Sequence, residues 1–249
     1  MKHPKTTIAL RTFAAAADCG APLRTYPTDT LPTRTGAPLA ITFFKHASLA
    51  IEYDGRRIYV DPIGQYADYA SLPKADLILV THSHYDHLDP AAIEALSTCG
   101  TTVVCDRTSA EELGGKARAM TPGEKCRPCD FLTVEAVAAY NTSADRQQFH
   151  PRERRDCGYL LEIGGSRIYI ASDGENTPEM KALRDIDIAF LPVNQPYTMT
   201  VDQAVDAVKA IRPALFYPYH YGEVEEKTDL DRLVRELEGV TEVRIRPME

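Results

Sequence analysis

The sequence predicts an α/β domain made of two similar halves, each supplying one sheet, and three observations carry that expectation. First, the apolar, partly β-branched run at residues 77–80 leads through a polar loop rich in histidine and aspartate to Asp89-Pro90, an aspartate cap and first-turn proline that start a helix. Second, residues 51–60 align without a gap with residues 161–170, matching Glu52 to Glu162, Gly55 to Gly165 and Arg57-Ile58-Tyr59 to Arg167-Ile168-Tyr169. Third, each matched stretch is followed by an acidic-led apolar strand, residues 76–80 and 187–191, and then by helix and strand.

At 249 residues the chain can bury a full core. Its 28 Lys plus Arg against 36 Asp plus Glu give a formal net charge of −8, which argues against a general nucleic-acid binder. No apolar run approaches the ~18 residues that cross a membrane. The composition thus sets aside nucleic acid and a membrane span and leaves a small-molecule substrate and an oligomer open. Cysteines 19, 99, 105, 126, 129 and 157 form no disulfide-scaffold pattern and are expected as free thiols. The lone pair Cys126-Arg127-Pro128-Cys129 reads as a turn rather than a zinc ribbon or redox motif.

Residues 1–38 read as an extended leader, because Pro22, Pro27, Pro32 and Pro38 block regular structure, and residues 39–249 as the folded domain. Lys2 and Lys5 before the apolar residues 8–17, with Cys19 after them, outline an export or lipoprotein signal. Arg11 interrupts that run and Asp18 stands where a small residue is needed, so a cytoplasmic location is favoured.

The elements follow in order. A strand at 40–44 leads through His46-Ala47-Ser48 into a hairpin whose Asp54-Gly55 pair suits a tight turn, and Asp61-Pro62 closes it. After the histidine-rich loop come a helix at 91–96 and a strand at 101–105. Residues 107–130, with three glycines, two prolines and mixed charge, read as a connection holding at most one short helix. A strand at 131–139 stops at Tyr140-Asn141, and the second hairpin follows. Thr200 with Gln203 forms a capping box for a helix whose Val201, Ala204, Val205, Val208 and Ile211 recur at helical spacing. A last helix at 229–238 places Leu230, Leu233, Val234 and Leu237 on one face, with Gly239 as its stop.

His82, His84, Asp86 and His87 lie in the loop after the strand at 77–80, and imidazole nitrogen with carboxylate oxygen is the donor set that Zn(II) and similar ions accept. His82 and His84, two apart on extended chain, can face one ion; Asp86 and His87 can face a second. The second half offers Asp173, in Ser172-Asp173-Gly174, and His220, each just beyond a strand. One rim of the domain could gather all of them.

His82-Ser83-His84-Tyr85-Asp86-His87 after a buried strand resembles the signature of the metallo-β-lactamase-fold hydrolases. That resemblance implies a four-layer αββα sandwich with a metal site, often binuclear, where the sheets meet. Histidine rather than glutamate at position 84 leans toward zinc and hydrolysis, with Mn(II) or Fe(II) as alternative ions. It also implies that Asp61 supports the metals from behind. The family usually places a further histidine where this chain has Asn141. Either the Asn141 amide oxygen or His150, in Phe149-His150-Pro151-Arg152, completes the first site, and His150 is favoured since imidazole binds Zn(II) better than a neutral amide. The Ala-Tyr-Asn and Phe-His-Pro segments, with Tyr219-His220-Tyr221-Gly222, resemble the ascorbate-phosphate-lactonase-like branch.

On this reading His82, His84 and His150 hold one ion, Asp86, His87 and His220 the other, and Asp173 bridges. The expected reaction is attack by a metal-bound hydroxide on an ester, lactone or phosphodiester, with Asp86 orienting the water or accepting its proton. The resemblance implies substrate contacts from His46, Asn141 and Tyr221. Arg152, Arg154 and Arg155 read as a loop salt-bridged to Glu153 and Asp156 rather than an anion receptor. Two alternatives stand beside this: a metal-binding protein of the same fold without turnover, and a nuclease, which the acidic balance disfavours.

Overall fold

The repeat seen in the hairpins extends to the wiring of both sheets in the computed structural model, which describes residues 26–248 apart from 223 and 225. The first sheet runs in chain order through β1 (Thr28–Pro32), β2 (Pro38–Lys45), β3 (Ser48–Tyr53), β4 (Arg56–Val60), β5 (Leu77–Val80), β6 (Thr102–Asp106) and β7 (Arg118–Met120). The second holds β8 (Lys125–Cys129), β9 (Leu132–Ala138), β10 (Cys157–Ile163), β11 (Ser166–Ile170), β12 (Ile188–Pro192), β13 (Leu215–Tyr219) and β14 (Glu242–Val243), again each beside the next. In both, the first four strands pair antiparallel and the rest parallel.

The equivalence reaches single side chains. Glu52 pairs across its hairpin with Arg57 at 3.0 Å and Glu162 with Arg167 at 2.6 Å. Asp76 accepts the Arg57 amide at 2.9 Å, and Asp187 accepts that of Arg167 at 2.7 Å. An equivalent aspartate therefore clamps the start of the next parallel strand, β5 or β12, to the hairpin before it.

Helices cover both outer faces. α1 (Pro90–Leu96) and α2 (Arg107–Glu112) pack Ala92, Ile93, Leu96 and Ala110 on the outward side chains of the first sheet, among them Tyr59, Ile78 and Val80. α3 (Pro178–Lys181), α4 (Val201–Ile211) and α5 (Leu230–Glu236) cover the second. Between the sheets, Ile41, Leu49, Ile58, Leu77 and Leu79 meet Val134, Tyr159, Leu161 and Ile170, all essentially buried. This is the four-layer αββα sandwich. The caps are as expected: Asp89 accepts from Ala91 and Ala92 with Pro90 in the first turn, and Thr200 and Gln203 form the reciprocal capping box.

Two expectations need correction. The first sheet begins at Thr28, so Pro32 and Pro38 do not exclude regular structure: Pro32 ends the edge strand β1 and Pro38 begins β2, positions where a missing N–H costs little, and Pro27 precedes β1. Residues 107–130 hold α2 but also β7 and β8, two short strands whose polar, Gly- and Pro-punctuated sequence hides them. The rest of the proposed leader and the export signal, residues 1–25, lie outside the described residues, as does Cys19. The other five cysteines are free, and neither Cys126 nor Cys129 joins a metal-competent group among the described residues. Among those residues no helix is long and apolar enough to cross a membrane.

Candidate metal centre

The donors sit where strands end. β5 delivers Thr81 and His82, and the turn into α1 presents His84, Asp86 and His87; His87 N and Leu88 N both bond back to the His84 carbonyl, which curls the loop. β11 delivers Ser172 and Asp173, and β13 delivers His220. The parallel strands of the two sheets run to the same rim, so the equivalent positions of both halves meet there.

Three groups of donor atoms lie close enough to share an ion: His82, His84 and His150; His46, Asp86, His87 and His220; and His82, His87 and Asp173. Asp173 joins the first two. Its Oδ2 is 3.0 Å from His220 Nε2, 3.5 Å from His87 Nε2 and 3.6 Å from His150 Nε2. Within the groups, His82 Nε2 is 3.0 Å from His84 Nδ1 and His87 Nε2 is 3.0 Å from His220 Nε2. Nitrogens that face one another this closely share one small volume, as ligands of a common ion do.

The charges fit the same interpretation. Burial pushes the imidazolium forms of His82 and His84 down, with His87 adding to the effect on His82 and Arg154 to that on His84, and burial takes His150 to about 4. These rings stay neutral with lone pairs available. At the other group burial also acts against charge, but Asp173 and Asp61 outweigh it and raise His87, while Asp173 and Asp86 raise His220 to about 9. Burial would raise Asp86 and Asp173, yet neighbouring histidines hold both below the usual carboxylate range. Buried anions that pull protons onto imidazoles mark a place where positive charge is stabilised. Asp173 Oδ1 is buried without a hydrogen-bond partner, a further sign of a group awaiting a cation.

Supporting contacts fix the rings. Asp61, fully buried, accepts from Thr81 N and Thr81 Oγ1 at 2.8 Å each and lies 2.8 Å from His87 Nδ1, the arrangement that sets which nitrogen of a ligating histidine keeps its lone pair. Ser172 Oγ lies 3.4 Å from His82 Nδ1, and an Asn194 amide atom 3.4 Å from His220 Nδ1. His46 Nε2 is 3.1 Å from Asp86 Oδ2.

Of the residues expected from sequence, His82, His84, Asp86, His87, His150, Asp173, His220 and His46 converge. Asn141 does not line the cavity beside the donors: Nδ2 donates to the Arg146 and Tyr197 carbonyls at 2.9 Å and its N–H to the His150 carbonyl at 2.8 Å, while Oδ1 is buried without a hydrogen-bond partner. It braces the loop that carries His150 instead. Tyr221 also departs from expectation, because its hydroxyl donates to the Arg246 carbonyl and it does not line the cavity. That cavity, about 460 Å3, is bounded by the metal-facing side chains other than His82 and His87, together with Tyr85, Gln148, Phe149, Asn194, Tyr197 and Val224. Sequence reading missed Thr81, Ser172 and Asn194, since a hydroxyl or amide beside a strand end has no distinctive spacing. Of the arginines, Arg154 pairs within the loop with Asp156 at 3.1 Å, as expected, whereas Arg152 reaches Glu179 on α3 at 3.0 Å rather than Glu153. A larger cavity of about 890 Å3 lies behind β9, lined by Arg155 and Glu179 among others.

An αββα sandwich with histidines and aspartates from both halves gathered at one rim defines a protein of the metallo-β-lactamase fold equipped to hold metal. The chain belongs to the beta-lactamase superfamily, whose domain model matches residues 40–220, and within it to the UPF0173 metal-dependent hydrolases. The relative from Symbiobacterium thermophilum is 35% identical over 185 residues, 69% of this chain and 79% of that one. The relative from Pyrococcus furiosus is 32% identical over 193 residues, 73% and 84% of the two chains. A crystal structure from Parabacteroides distasonis, assigned as a metal-dependent hydrolase, superposes with a TM-score of 0.85 at 47% identity, covering 90% of this chain and 100% of that one. A metallo hydrolase from Ignicoccus hospitalis gives 0.71 at 25% identity, over 85% and 96%.

Proposed function

We propose that this chain hydrolyses an ester, lactone or phosphodiester bond in a small molecule with the help of two Zn(II) ions, one held by His82, His84 and His150, the other by Asp86, His87 and His220, with Asp173 between them. The position of Asp173 Oδ2, within 3.0 Å of His220 and 3.6 Å of His150, carries this reading, because one oxygen within reach of both donor groups suits a shared ligand. Cations of this kind supply an acidified water and an electrophile for the substrate oxygen.

The chain's own residues do the rest. Asp86 is the more accessible carboxylate, its side chain 18% exposed against 3% for Asp173, so its oxygen not turned to His87 and His220 can take the proton released by the attacking water and pass it to the leaving oxygen. His46, with Nε2 3.1 Å from Asp86 Oδ2, keeps the carboxylate oriented and faces the cavity, where it can also touch substrate. Asp61 holds His87 in the tautomer whose Nε2 faces the donors. The test is metal analysis with a panel of lactones, aryl esters and phosphodiesters. Two zinc ions per chain with turnover, falling toward one ion and no turnover in His84→Ala, support the reading; tight zinc with no turnover on any of them overturns it.

A further inference from the structure

Among the described residues the exposed large hydrophobic side chains are Tyr85, Tyr197, Val234 and Ile245, and the two tyrosines both line the metal cavity. Tyr85 is 90% exposed although it sits inside the ligand loop between His84 and Asp86, and Tyr197 is 39% exposed. Phe149 meets Tyr197 edge to face with ring centroids 4.9 Å apart, directly beside His150. Large aromatic side chains exposed at the mouth of a cavity mark ligand contacts.

The placement of these rings is built rather than incidental. Phe149 belongs to the loop braced by Asn141, and Tyr197 to the turn Asn194–Thr198, where Thr198 N bonds to the Asn194 carbonyl at 2.8 Å. The two loops are joined by Asn141 Nδ2 to the Tyr197 carbonyl and by Arg146 to Gln195 at 3.2 Å. Arg146 is tied in turn to buried Glu175 at 3.0 Å. A rigid aromatic wall next to the donors recognises a flat apolar group by stacking and area burial.

Resting on the hydrolytic reading above, we infer that the substrate is a carboxylic ester or lactone bearing an aryl ring, which packs on Tyr197 and Phe149 within the rim completed by Tyr85. In the reaction water oxygen bonds to the acyl carbon, the acyl C–O bond breaks, and the proton lost by water ends on the leaving alkoxide. Two matched pairs test this with zinc-loaded protein: γ-phenyl- against γ-methyl-γ-butyrolactone, and phenethyl acetate against ethyl acetate, in which the ring is added without activating the leaving group. In at least one pair the aryl member should have the higher kcat/KM by about ten-fold or more, mostly through KM. Tyr197→Ala should shrink that ratio about ten-fold, and Tyr197→Phe should retain it. Equal kcat/KM within both pairs, or a ratio untouched by Tyr197→Ala in a folded variant, overturns the inference while leaving hydrolysis intact. Turnover of phosphodiesters alone does the same, and no turnover of any substrate removes both.

Discussion

Asp61→Asn separates support of a metal ligand from support of the fold. Asparagine keeps the volume of aspartate and tolerates the left-handed backbone that position 61 adopts, with φ at +43°. Its one carbonyl oxygen can still accept from Thr81 N, which lies 2.8 Å from the present carboxylate. The amide NH2 must then occupy the place of the oxygen now 2.8 Å from His87 Nδ1. An N–H cannot accept from another N–H, so His87 is driven to the tautomer with its proton on Nε2. That nitrogen is the one 3.0 Å from His220 Nε2 and 3.5 Å from Asp173, where a lone pair is needed. Loss of the charge-assisted bond should cost about 2 kcal/mol of folding stability, read by urea unfolding after chelation. Affinity for the ion at His87 and His220 should fall about 10–100-fold, read by competition with a chromophoric chelator, while the ion at His82, His84 and His150 is retained. Unchanged affinity for both ions would refute the tautomer argument.

Other consequences are more direct. His84→Ala should lower bound zinc from two ions per chain toward one and abolish turnover, as measured by elemental analysis and a lactone assay. Gly174→Ala should reduce metal content: with φ at +142°, a Cβ there would meet the Tyr140 amide nitrogen at 2.7 Å, and the shift passes to neighbouring Asp173. Cys126→Ala should leave both metal content and turnover as they were and cost about 1 kcal/mol, because the thiol only packs against Met120, 3.4 Å from its sulfur.

The site was legible in the chain to the extent that its chemistry is local. The density of histidine and aspartate after β5 identified one side of the centre, and the hairpin repeat pointed to the other, since residues at equivalent strand ends must meet when two like-wired sheets stack. His150 lies on no strand, so only the donor preference of the metal argued for it; the structure puts it within 3.6 Å of Asp173. Asn141 and Tyr221 sit close to ligands in sequence but turn their donor atoms, Nδ2 and the hydroxyl, toward backbone carbonyls, which residue type alone does not disclose. The strands β1, β7 and β8 escaped because proline, glycine and charge are tolerated in short or edge strands once a neighbour supplies the hydrogen bonds.

Diffraction data collected on either side of the zinc absorption edge, from crystals of zinc-loaded protein, bear most directly on the central claim. The account predicts two anomalous peaks flanking Asp173, one among His82, His84 and His150 and the other among Asp86, His87 and His220. No peak beside Asp173, or zinc bound only at residues outside these groups, would contradict it.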